Sequence, residues 1–477
     1  MLTLVHMSPI FLTFTMLMVL RRPPVQAALA AVILVAIIWA LGLGVTSDMT
    51  VLSDVAKDTG VLFASTAAVI APGLAFVVLV ERSGANKALA DWVQNLGWSR
   101  AQQVVFITLG LAPLLEAMTG FGVSLIATVP LLLALFARET AMRVALSGMV
   151  IMPWGTLGLA TVVGATLAGL PATELGQASA IVSAPVFLMA SGIALWLVGE
   201  RGLGSWLQLI VSWVLFVSVL YAVSGAIGPE IAGVAAALCV LVLGLAVSFL
   251  RGRLNAWPKA AWPYLTLLVT IVALKVILFF TPVGQTFTLT GTDVSWQPLS
   301  SPGVALLLVI IMIAVIGRAS GIADGLMGTW RARSVKPLLT IFFFLMLSQA
   351  LLKGGFLASF QAALGQLSDA ALAPVSAGLA GLSGYLTGSN VGGNAIFMPT
   401  IATLPLEGNT TLWLSAIQNS GAGHGAMGAL SILALIAGLT DVGKTEEERL
   451  VRYGALLAVL NAILIAAVGS LLIYLGV

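Results

Sequence analysis

The chain has 477 residues, 60% of them hydrophobic and only 8% charged, against roughly 25% charge in an average soluble domain. With a mean hydropathy of +1.10, water is excluded as its solvent, and a formal net charge of +3 scattered over loops excludes nucleic acid as a partner. A single cysteine, Cys239, excludes an intrachain disulfide and any cysteine-based metal cluster.

Apolar runs near 20 residues, the length that crosses about 30 Å of hydrocarbon, recur from end to end and predict one all-α, multi-pass membrane domain over 1–477. The stretch 4–20 lacks a basic region before it and is followed by Arg21-Arg22, so it reads as a transmembrane helix rather than a cleaved signal. Further spans are predicted at 24–44, 60–80, 142–170, 177–199, 205–224, 229–250, 261–281, 301–317, 337–352, 411–439 and 453–475, about twelve in all. Lys353, just past one of them, is expected to snorkel to the interface. Two more apolar segments, 100–137 and 370–404, are interrupted by Thr- and Gly-rich sequence, the pattern of broken helices or re-entrant hairpins.

Shifting the chain by 268 residues places Leu111–Leu159 on Leu379–Met427 without a gap, with twelve identities over 49 positions. The matches fall on corresponding features. Thr119-Gly120 meets Thr387-Gly388, Glu139 meets Glu407, Leu146-Ser147 meets Leu414-Ser415 and Gly155 meets Gly423, which predicts an internal repeat. Basic residues in short loops mark the cytoplasmic side. Arg21-Arg22, 82–100, 251–259 and 318–336 are basic and the span count puts them on one face, whereas 354–369, before the second break, has no Lys or Arg. The halves are therefore expected to be inverted: repeat 1 over about 60–199, repeat 2 over about 337–477, with scaffold helices at 205–317.

The first break reads Glu116-Ala117-Met118-Thr119-Gly120-Phe121-Gly122-Val123-Ser124, and Glu116 is the only charged residue between Arg100 and Arg138. An ionised acid at mid-bilayer costs about 2.5–3.5 kcal/mol, so a protonated carboxyl is favoured there, as a proton carrier requires. The second break reads Thr387-Gly388-Ser389-Asn390-Val391-Gly392-Gly393-Asn394 and has no charge from 370 to 406. Its glycines let the chain unwind, its Thr, Ser and Asn side chains supply donors, and a helix restarting there turns its positive end toward an anion. A packing role for glycines and a structural hydrogen bond for Glu116 are the competing readings. His424 is the only ionisable side chain between Glu407 and Asp441 and stands near Gln418; it could donate to a carboxylate, relay a proton, or hold structure. No P-loop, zinc-protease motif or nucleophile elbow is present, so neither an enzyme nor a cofactor is expected.

The segments Glu116 to Gly122 and Thr387 to Asn390 resemble the paired signature segments of the bacterial L-lactate permease family, inverted-repeat carriers of the ion transporter superfamily. The resemblance extends over about 60–475. It implies symport of a proton with lactate, glycolate or a similar 2-hydroxy monocarboxylate across the bacterial cytoplasmic (inner) membrane, and it carries the expectation of a homodimer. Glu116, Thr119, Gly120, Phe121 and Gly122 match the family's first segment; Thr387, Gly388, Ser389, Asn390 and Asn394 match the second. With Ser124, Gln418 and His424 these form the expected substrate site, and Glu116 and His424 the expected proton-coupling pair. Two alternatives stay open: sodium coupling through Thr387, Ser389, Asn390 and unwound carbonyls, with a carboxylate or sulfonate as cargo, and an anion channel.

Overall fold

The computed structural model describes every residue except 1, 21, 44–47, 121, 123, 317–323, 405–408, 441 and 477. Glu407, the expected repeat partner of Glu139, falls outside the described residues. In an apolar solvent each backbone N–H and C=O must find a partner within its own segment, and the chain accordingly resolves into helices. The helices are α1 (Leu2–Phe14), α2 (Pro24–Ala40), α3 (Met49–Arg82), α4 (Ala85–Gln94), α5 (Arg100–Phe106), α6 (Ala112–Thr119), α7 (Ser124–Leu135), α8 (Arg138–Ser147), α9 (Gly155–Ala168) and α10 (Ala172–Leu197). They continue with α11 (Leu203–Ala226), α12 (Pro229–Leu250), α13 (Trp262–Phe280), α14 (Pro302–Ile316), α15 (Leu326–Lys353), α16 (Leu357–Leu364), α17 (Asp369–Thr387), α18 (Asn390–Ala402), α19 (Thr410–Met427), α20 (Leu430–Thr440) and α21 (Lys444–Leu475). Between α13 and α14 lies a small antiparallel hairpin, β1 (Leu289–Thr290) with β2 (Ser295–Trp296).

Among the described residues nine helices are long and apolar enough to cross a membrane, or ten with one bent pair, where the sequence predicts about twelve. The difference has two sources. The expected spans at 4–20, 24–44 and 301–317 form helices of at most 17 residues, and the expected span at 142–170 is the bent pair, α8 and Met152–Ala168 meeting at 57°. Arg100–Thr119, which includes a π-helical turn at Ile107–Leu111, adds a span-length helix within the first broken segment. Apolar side chains such as Leu207 and Val211 on α11 are more than half exposed, an outer surface suited to lipid.

The antiparallel helices α3 and α15 are tied at both ends. At one end Arg333 pairs with Glu81 at 2.7 Å. At the other, Lys353 bridges the buried Asp58 at 2.8 Å and the exposed Asp293 at 2.6 Å. Lys353 is therefore held in an ion-paired latch on the β1–β2 turn rather than snorkelling as the sequence predicts. The ties are 20 to 23 helical residues apart, roughly 30–35 Å, the thickness of a bilayer core. Around the Glu81 end the basic loops gather: Arg82 donates to Asp324 and Thr329, Arg251 to Gln102 at 2.9 Å, and the Trp92 indole to the Asn255 carbonyl.

These ties orient the two broken hairpins. The first starts at Ser99, whose side chain caps α5 beside Arg251, climbs through α6, turns after Thr119 and returns as α7, which packs on α4. The second follows the Lys353 end of α15, rises as α17, turns at Gly388-Ser389 and returns as α18; Gln361 donates to Thr403, joining its two feet. The hairpins thus enter from opposite faces. Close glycine packing holds the second: a Cβ on Gly384 would stand 1.8 Å from the Ala422 carbonyl, and one on Gly425 2.1 Å from the Gly381 carbonyl, so α17 and α19 touch backbone to backbone.

Candidate functional site

At the first hairpin tip Glu116 is fully buried on α6. Its Oε1 accepts from the Gly122 amide at 3.0 Å and its Oε2 contacts the Ser124 hydroxyl at 2.8 Å. The tip can fold back this sharply because Gly120 and Gly122 take φ of +71° and +75°, where a side chain is strained. Gly120 also has no room for one: a Cβ would lie 1.7 Å from Thr156 Oγ1. Ser124 contacts Met149 Sδ as well, at 3.3 Å. Its hydroxyl can donate to an ionised Glu116, or accept from a protonated one while donating to the sulfur, so either protonation state of Glu116 is hydrogen-bonded. Among the described residues no Lys or Arg pairs with Glu116.

At the second tip Gly388, at φ +64°, ends α17. Thr387 Oγ1 donates to the Ser383 carbonyl at 2.8 Å and accepts from the Ser389 amide at 3.3 Å. Ser389 then caps α18, its hydroxyl accepting from the Gly392 amide. The amides of Asn390 and Val391 lie in that first turn, where the helix has no carbonyl of its own to offer them.

Both tips open onto one cavity of about 480 Å³, within the usual range for small-ligand sites. Glu116 and Gly120 line it from the first tip, Thr387, Gly388, Ser389 and Asn390 from the second. The other expected residues stand behind this wall. Thr119 donates to the Leu115 carbonyl, Gly122 and Ser124 hold Glu116, and Phe121 lies outside the described residues. Asn394 donates to Asn419 Oδ1 at 2.9 Å and to the Ala160 carbonyl, and Gln418 to the Gly393 carbonyl. His424 is fully buried, packs edge-on against Phe187 at 5.7 Å between centroids, and has no hydrogen-bond partner for either ring nitrogen among the described residues. The geometry places it away from Glu116's cavity.

Three features escaped the sequence. Lys336 on α15 lines the cavity and has no carboxylate partner among the described residues; in the sequence it reads as one more loop charge before a span. Asn419 is a buried hub that accepts from Asn390 and Asn394 and donates to Thr161 and Ser179; only its polarity in an apolar helix marks it. Thr156 faces Gly120 in a left-handed turn that nothing in its sequence announces. Among the described residues no group of three or more His, Cys, Asp or Glu side chains could hold a metal.

The family model described as L-lactate permease matches residues 3–263, more than half of the chain. Among curated proteins none matches. Of solved structures, the YdaH transporter of Alcanivorax borkumensis, described as having an unusual topology, aligns over 95% of this chain and 99% of its own at 16% identity and a TM-score of 0.52, which shows a shared fold. MtrF of Neisseria gonorrhoeae, described among antimetabolite efflux pumps, aligns over 94% of both chains at 15% identity and a TM-score of 0.41.

Proposed function

The chain belongs to the L-lactate permease family, and from that premise we propose that it couples a proton to uptake of a small 2-hydroxy monocarboxylate, lactate- or glycolate-like, across the bacterial cytoplasmic (inner) membrane. The observation that carries this reading is the shared cavity in which Glu116, without a cationic partner among the described residues, and the start of α18 come together. The substrate carboxylate is held at the first turn of α18, where free amides and the helix dipole favour an anion, with Lys336 adding a full positive charge. Thr387, Ser389 and Asn390 offer hydrogen bonds to the 2-hydroxyl, and Leu159 and Ile432 offer apolar contact to the remaining carbon. Glu116 takes up the proton, and Ser124 changes from donor to acceptor as it does so. The anion and proton then cross together by alternating access, with repeats of about 60–199 and 337–477 moving against the 205–317 helices.

One observation favours sodium coupling as the second reading. The side-chain oxygens of Asn390, Asn394 and Gln418 are buried and have no hydrogen-bond partner among the described residues, and oxygen donors suit a hard cation.

Uptake of labelled L-lactate and glycolate into proteoliposomes, with a pH or a sodium gradient imposed separately, decides between them. The proposal expects accumulation with the pH gradient alone. In Glu116→Gln that accumulation is lost, while exchange of internal for external lactate persists because exchange needs no net proton movement. Accumulation that follows sodium and survives Glu116→Gln overturns the proton reading.

A further inference from the structure

We propose that a second cavity is the far mouth of the same transport route, and that Leu159 is the side chain closing the route between the two. This deepens the transport reading and rests on it. The second cavity, of about 280 Å³, is lined by Leu62 and Ser65 of α3, Val163 and Thr166 of α9, Glu230 of α12 and Trp296 of β2.

Two helices fix the order of the cavities. On α3 the positions from Val61 to Val69 line the second cavity and Leu74 lines the first, so the two are about five residues, or roughly 7.5 Å, apart. On α9, which runs the other way, Gly155, Thr156 and Ala160 line the first, while Val162, Val163 and Thr166 line the second. Leu159 lines both and is only 6% exposed. Since α3 runs from the Asp58 latch to the Glu81–Arg333 pair, the second cavity lies on the latch side and the first on the basic-loop side.

The segment leading into Leu159 is built to be held from both cavities. Thr156, Leu157 and Gly158 are consecutively left-handed, at φ of 53°, 58° and 67°, a conformation that Thr and Leu keep only where their surroundings enforce it. On one side Thr156 abuts Gly120, next to the Glu116 tip. On the other, Gly158 lies so near the Pro229 carbonyl that a Cβ would stand 2.4 Å from it. Glu230, the next residue, is in the wall of the second cavity and pairs with Lys275 at 3.1 Å, which fixes the start of α12 against this turn. A displacement of the Glu116 tip is transmitted through this turn to the side chain that separates the cavities.

Thiol labelling tests the route without any substrate. In a Cys239→Ser background, Ser431→Cys reports on the first cavity and Ser65→Cys on the second, with the membrane-impermeant anion 2-sulfonatoethyl methanethiosulfonate applied to right-side-out or inside-out vesicles. Ser431→Cys should react only from the basic-loop side and Ser65→Cys only from the other. Adding Leu159→Ala should raise the reaction of Ser65→Cys from the basic-loop side about tenfold. Labelling of Ser65→Cys from the basic-loop side with Leu159 intact, from neither side, or with unchanged sidedness after Leu159→Ala overturns the proposal. Sidedness is read even where Leu159→Ala does not fold, and failure to carry lactate overturns the transport reading without altering the labelling pattern.

Discussion

In the proposed mechanism Ser124 is the smallest group on which proton coupling depends. Its hydroxyl lies between Glu116 Oε2 and Met149 Sδ, and only a hydroxyl can reverse its role as Glu116 gains or loses a proton. Ser124→Ala removes the hydroxyl's hydrogen bond to the carboxylate, worth about 1.5–3 kcal/mol when one partner is charged. The expected result is a pH optimum for lactate accumulation displaced from that of the wild type, with exchange retained; an unchanged pH profile would remove Ser124 from the mechanism. Lys336 makes a different prediction. Lys336→Gln should raise the KM for lactate about tenfold, equivalent to ~1.4 kcal/mol of lost attraction, while Lys336→Arg keeps it near wild type; initial rates over a concentration series check both. Glu116 was legible in the sequence because a lone acid in an apolar run is costly wherever the chain folds. Lys336 was not, because whether a cation at the edge of a span faces water or a cavity depends on how its helix is packed. Asn419 was missed for a related reason: its role as a hub is set by three neighbouring helices.

The glycines of α17 separate into those that hold helices together and those that do not. Gly384 meets the Ala422 carbonyl, whereas Gly378, on the same helix, has nothing within 4 Å of where a Cβ would stand. Gly384→Ala should therefore overpack the α17–α19 contact and cost about 1–3 kcal/mol, while Gly378→Ala should be neutral or stabilise by about 0.5–1 kcal/mol. Thermal unfolding of the two purified variants in detergent, compared with the wild type, provides the measurement. The broken hairpins could be read from the sequence because Thr119-Gly120 and Thr387-Gly388 recur at one spacing in otherwise apolar runs. The bend between α8 and α9 could not, since 142–170 carries Arg143 as its one charge and otherwise reads as a single apolar span, and its left-handed turn includes Thr156 and Leu157, residues that seldom adopt one.

Across the whole molecule, α3 and α15 form a strut clamped at both membrane faces, with unequal clamps. Asp58 is fully buried and Asp293 largely exposed on the same Lys353. Removing one member of a buried pair strands the other, at about 3–5 kcal/mol, so Asp58→Asn should lower the unfolding temperature well below that of Asp293→Asn. Equal effects would mean that the latch has no buried core. By the positive-inside rule the gathering of the basic loops predicts an orientation: trypsin should cut at exposed Arg253 in inside-out vesicles and spare it in right-side-out ones. The convergence of two tips 268 residues apart on one cavity was foreshadowed by the repeat, but that cavity depends also on α2 and α15, which no internal similarity points to.

The two hairpin tips present two helix starts, and one is already filled. Gly122 and Ser124, which in the other tip's arrangement would face outward to a ligand, are spent on Glu116, so the chain supplies one of its own carboxylates as a permanent tenant. Selection by valence follows. A monocarboxylate completes the set, whereas the second carboxylate of a dicarboxylate finds the other helix start, at Gly122 and Ser124, already occupied by Glu116. Succinate should accordingly fail to compete with lactate at concentrations where glycolate does.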